Sequence, residues 1–91
     1  MGRPKISAGT PAQQAIRRGE RILDRMECDG ADFVRMDDTH AYLWYDEQLV
    51  NLYNHQHVLD FLARHGFLKP RTENKMIIAA WVIFAGIQRC A

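Results

Sequence analysis

Cysteine is scarce in this chain, with only Cys28 and Cys90 among 91 residues. Two thiols without framework spacing exclude a disulfide-built scaffold and point to a reducing compartment. Catalytic signatures are missing too. There is no glycine-rich phosphate loop, no G-x-S-x-G elbow and no C-x-x-C pair. The N-terminus lacks the apolar stretch of a secretory signal, so the cytoplasm is the expected location. No internal repeat or low-complexity segment occurs. Long apolar runs are absent with one exception, Met76–Ile87. Twelve residues span roughly 18 Å as a helix, against roughly 30 Å for a bilayer core. With charged flanks as well, the run is too short to cross a membrane, and no membrane partner is expected.

What remains is ordinary globular composition, 47% apolar and 25% charged, in a length that suits one domain. Net charge is only +1, but its distribution is uneven. Residues 1–27 hold six basic and three acidic side chains, residues 28–60 one and seven, and residues 61–91 five and one. An acidic middle therefore lies between two basic ends.

The first ten residues read as an extended basic arm, with Pro4 biasing Arg3 away from helix. Gly2-Arg3-Pro4-Lys5 resembles the short G-R-P arm of AT-hook peptides and of some recombinase DNA-binding domains. That resemblance implies minor-groove contact by Arg3 and Lys5. Thr10-Pro11 opens a helix to about Glu27, Thr as N-cap and Pro in the first turn. Ala12, Ala15, Ile16, Gly19, Ile22, Leu23 and Met26 mark its apolar face. Gly19 permits close packing there. Arg17, Arg21 and Arg25 recur every four residues beside Arg18, relieved by the pairs Arg17–Glu20 and Arg21–Asp24. These arginines and the arm make the alternative expectation of a small DNA-binding regulator.

Gly30 stops the helix. From Phe33 the period falls to two, and turn clusters at Asp37-Asp38-Thr39 and Asp46-Glu47-Gln48 divide the segment into a three-stranded antiparallel meander. Val34, Met36, Ala41, Leu43, Tyr45, Val50 and Leu52 are expected to face the helices. Arg35, Tyr42, Trp44, Asn51 and Tyr53 would face outward. Asn54 caps a helix that ends at Gly66 and buries Val58, Leu59, Phe61 and Leu62. Thr72 is expected to cap the apolar helix, with Glu73 at its positive end and Arg89 at its negative end. Apolar residues occupy every face of that helix, so it needs cover all round. In so short a chain this predicts a homodimer through Trp81 and Phe84. The fold class is thus α+β, with residues 11–91 forming helix, meander and two C-terminal helices, the last strongly apolar.

His55-x-His57 opens a helix, where residues two apart diverge, so no metal site is expected. Asp37, Asp38 and His40 have the residue types of an acid–base cluster, but a solvated turn is the expectation, and neither enzyme activity nor a cofactor is read. A helix-turn-helix over Val58–Trp81 fails because its second helix offers nothing polar to bases. Stacking of single strands on Tyr42, Trp44 and Tyr53 is opposed by the surrounding acid. An acidic surface with exposed aromatics suits a larger protein with a basic surface. Arg35, Asp37, Asp38, Tyr42, Trp44, Asp46, Glu47 and Tyr53 are the expected contacts. The function expected is a small non-enzymatic inhibitor or adaptor that occludes such a partner, with a nucleic-acid-handling protein as the natural candidate. Phage and mobile-element accessory proteins supply the class analogy.

Overall fold

Thr10 turns the chain into α1 (Pro11–Cys28). Its hydroxyl accepts the Gln13 N–H at 3.1 Å, and the Gln13 side chain accepts the Thr10 N–H at 3.1 Å. Such a reciprocal cap, with Pro11 where no N–H is needed, is worth about 1 kcal/mol. The computed structural model describes residues 10–90, so the arm with Arg3 and Lys5 lies outside them. Ala15, Gly19, Ile22, Leu23 and Met26 form the buried stripe of α1. Gly30, at φ 94°, takes the left-handed conformation that ends the helical segment.

The chain continues through β1 (Asp32–Asp37), β2 (His40–Tyr45) and β3 (Gln48–Asn51), then α2 (His55–Arg64) and α3 (Lys75–Gln88). This is an α+β fold in the order the sequence predicts. The strands form an antiparallel meander, β1-β2-β3. Phe33 pairs with Leu43 and Leu43 with Val50, which aligns three apolar side chains on one face. That face, with Ala41 and Leu52, joins the core. Asp46 and Glu47 make a two-residue hairpin loop with φ of 51° and 61°, the sign pattern of a type I′ turn. Asn54 caps α2 as predicted, its side-chain Oδ1 accepting the His57 N–H at 3.0 Å.

Helix α3 is the hub of the helical layer, touching α1, α2, β1 and β2. Ile78, Ala79, Val82, Ala85 and Gly86 are buried. Its small residues permit this: a Cβ on Gly86 would stand 3.6 Å from both Leu52 and Phe33. No helix among the described residues is long and apolar enough to cross a membrane. Cys28 and Cys90 are both free thiols, and burial raises the pKa of Cys90.

Three expectations need correction. Strand β1 presents the opposite parity: Phe33 is buried, while Val34 and Met36 are exposed. The larger ring takes the inward place, and an irregularity between Arg35 and Asp37 breaks the simple alternation. Arg35 consequently pairs with the buried Ala41 and is not part of the outward row. Thr72 does not cap α3. Its hydroxyl accepts the Lys69 N–H at 2.9 Å inside a turn. The cap is Asn74, in the left-handed conformation that asparagine tolerates better than most residues. Glu20 and Asp24 turn to Arg89, not to the α1 arginines assigned to them. Within the protomer α3 keeps Met76, Ile77, Ala80 and Phe84 exposed.

Candidate functional site

The outward face of the sheet is built by cross-strand register. One row is Val34, Tyr42 and Asn51; the next is Asp32, Trp44 and Leu49. Side chains directly opposite one another on antiparallel strands are in contact range, so these rows make a continuous apolar and aromatic strip. Trp44 is 44% exposed and Leu49 55%. These are large apolar groups held open on rigid backbone, which is the usual form of an interface anchor.

Acidic turns stand at both ends of this strip. Asp37 and Asp38 precede β2, and Asp46 and Glu47 follow it. Six residues of strand separate them, roughly 20 Å at strand rise. At the first end Asp37 is tightly bonded. Its Oδ1 accepts the Thr39 N–H at 2.8 Å, and His40 Nδ1 lies 2.8 Å from the same oxygen. The Thr39 N–H, followed by the His40 bond, lowers the Asp37 pKa to about 2. Tyr53 joins this end by donating its hydroxyl to the Asp38 carbonyl at 3.0 Å. The Arg35 guanidinium, 3.9 Å from the Asp38 carboxylate, is the one cation of the predicted set and sits at the sheet's inner side.

At the far end the turn is anchored from beneath. Tyr45 donates to Asp29 Oδ2 at 2.8 Å, a bond that raises the tyrosine pKa. The Tyr45 ring meets Phe61 edge-on with centroids 5.9 Å apart. His65 lies 4.5 Å from Phe61, ring to ring, with Nε2 3.3 Å from Gln48 Oε1 and Nδ1 3.8 Å from Asp46. The hairpin tip is therefore clamped to α2. Glu47 occupies a backbone position that favours glycine, so its carboxylate is carried at a conformational cost of about 1 kcal/mol.

Of the predicted contacts, Asp37, Asp38 and Tyr53 come together at one end, Tyr42 and Trp44 in the middle, and Asp46 and Glu47 at the other end. Arg35 leaves the face. Val34, Asp32 and Leu49 join it without having been foreseen. Alternation extended one residue back from Val50 would have found Leu49. Nothing local distinguished the parity of β1.

The predicted interface residues of α3 divide. Trp81 turns to α1, donating its indole N–H to Glu20 Oε2 at 2.7 Å, with its ring against Gly19. Phe84 stays 51% exposed beside it, ring centroids 5.2 Å apart. Met76 and Ile77 lead from this open face into a groove of about 720 Å3 between α2 and the start of α3, where Leu59, Leu68, Lys69 and Lys75 also line it. Among the described residues, no group of three or more His, Cys, Asp or Glu is placed to hold a metal ion. No family model, curated protein or solved structure is significantly similar to this chain.

Proposed function

We propose that this protein is a small non-enzymatic binding protein, an inhibitor or adaptor that occludes a basic surface on a larger protein. A nucleic-acid-handling target is the natural class, because an acidic surface competes for a groove that otherwise holds phosphate. One observation carries the reading: a registered strip of Tyr42, Trp44, Val34 and Leu49 lies between two acidic turns. The strip supplies desolvated anchoring area, and the carboxylates supply orientation and attraction over distance. Cytoplasmic residence and a role like that of phage or mobile-element accessory proteins belong to the same proposal.

A homodimer is part of it as well, through the open α3 face of Met76, Ile77, Ala80 and Phe84. Trp81 contributes from within its own protomer. Equilibrium sedimentation of Phe84→Glu against the parent chain tests this, with a concentration-independent monomer for both chains as the adverse result.

The main test places a photo-crosslinking amino acid at position 49 in the source cell. The expected adducts are with one larger protein of basic surface. Trp44→Ala, and separately the four-site reversal of Asp37, Asp38, Asp46 and Glu47 to lysine, should abolish the adduct while circular dichroism stays unchanged. Persistence of the same adduct in both variants would sink the reading.

A further inference from the structure

Helix α1 is divided lengthwise by charge. Glu20, Asp24 and Glu27 face α3, and one guanidinium engages all three. Arg89 reaches Glu20 at 2.9 Å, Asp24 at 3.1 Å and Glu27 at 2.6 Å. Burial works against the Arg89 charge, but bonding to Asp24 and the surrounding carboxylates outweigh it and raise its pKa. The acidic side of α1 is thereby partly offset, one positive charge against three negative, by a residue from the other end of the chain.

Arg17, Arg18, Arg21 and Arg25 occupy a different side, and all four are exposed. At 100° per residue they fall within one arc that borders the buried stripe at Ile22. Two of them are oriented in advance. Arg18 donates to the Phe67 carbonyl at 3.2 Å, and Arg25 lies 3.4 Å from Asp29. Shallow depressions of about 390 and 260 Å3 run between these side chains.

A surface of this kind fits a partner with regularly repeated anions. The column Arg17, Arg21 and Arg25 advances about 6 Å per step along the helix axis. Charge on one DNA strand recurs about every 3.4 Å of duplex axis, a density that lets each arginine of the column meet a separate phosphate. All four cations are arginine, whose planar fork matches phosphate geometry. Helix α1 contains no aromatic residue, so it offers no stacking platform of the kind single strands need. Of the residue types on this face only arginine and glutamine can read base edges, and a regular column of one cation suits contact with the backbone, which carries no sequence information.

We infer that the exposed arginine face of α1 binds the phosphate backbone of duplex DNA without regard to base sequence. This surface lies on the helical side of the sheet, whereas the aromatic strip looks away from the helices. The two can be occupied by different molecules, and neither assignment depends on the other.

Fluorescence anisotropy of the full chain with a random-sequence duplex of 20 base pairs tests the inference. Three or four neutralised phosphates should weaken binding roughly 40- to 150-fold between 50 and 200 mM salt. Arg21→Gln should lower the magnitude of the log–log salt slope by about 0.9. The triple variant Arg17→Gln, Arg21→Gln, Arg25→Gln should remove most of the dependence, while Trp44→Ala leaves it unchanged. Circular dichroism verifies that each variant is folded. Absence of binding at 50 mM salt would overturn the inference. So would an unaltered slope in the triple variant, or a loss produced only by Arg3→Gln with Lys5→Gln. Tighter binding of poly-glutamate than of duplex at equal salt would also overturn it, assigning the face to an acidic protein.

Discussion

Gly19→Ala is expected to destabilise the protein, although glycine is a poor helix former. Two effects oppose each other at this position. Replacing glycine by alanine inside a helix contributes about 1 kcal/mol through backbone propensity. Against this, the new Cβ would stand 3.0 Å from Trp81 Cδ1, 3.3 Å from Trp81 Cβ and 3.5 Å from the Ile78 carbonyl oxygen. Trp81 has little freedom to withdraw. Its indole N–H is donated to Glu20 at 2.7 Å, and Glu20 is itself held by Arg89. Overpacking of a close contact costs about 1–3 kcal/mol, so the net loss is expected near 1 kcal/mol. For a chain of this size that lowers Tm by about 4–8 °C. Urea and thermal denaturation of the parent, Gly19→Ala, Trp81→Ala and the double variant provide the measurement. In the Trp81→Ala background the 3.0 Å contact with Cδ1 is gone while the 3.3 Å contact with Cβ stays, so Gly19→Ala should range from neutral to stabilising by about 1 kcal/mol. The coupling energy of the cycle is then about 1–2 kcal/mol. If Gly19→Ala raised stability by its full helix-propensity value with Trp81 present, the close approach of α1 and α3 at Gly19 would be refuted.

Arg89→Met removes the common partner of Glu20, Asp24 and Glu27. Because those carboxylates can rehydrate, a loss of about 1–2 kcal/mol in denaturant titration is expected, and an unchanged midpoint would contradict the ion-pair hub. Asp37 should titrate near 2 by NMR, below its ordinary 3.8. Since the folded pKa is depressed, the turn's contribution to stability is present above about pH 4 and is lost as pH falls through 2. His40→Ala should move the midpoint upward, and no movement would remove His40 from the cause. Glu47→Gly relieves a left-handed residue and should raise stability by about 1 kcal/mol. The same variant should weaken binding if this carboxylate serves the partner, and a chain that became both more stable and more avid would speak against the acidic-turn role.

The sequence by itself determined what arises within a few residues along the chain. Thr10, Pro11 and Gln13 specify the start of α1, because the capping bonds span three residues. Gly30 and Gly66 mark chain reversals through their own backbone freedom, and Asp46-Glu47 falls at a two-residue loop because alternation resumes on either side. The parity of β2 follows from Ala41, Leu43 and Tyr45, and with it the outward Tyr42 and Trp44. Tertiary structure decided the rest. Phe33, not Val34, faces inward because a helix surface with Gly86 at its centre accommodates the ring. Arg89 and Trp81 meet Glu20 across 69 and 61 residues of chain, a pairing that periodicity cannot encode. That long-range pairing separates the two charges of α1 and leaves one arginine face exposed. It also decides which side of α3 is buried. Every face of that helix is apolar, so hydrophobicity alone could not choose. Close approach at Gly19 and Gly86 chose, and left Met76, Ile77, Ala80 and Phe84 on the outside.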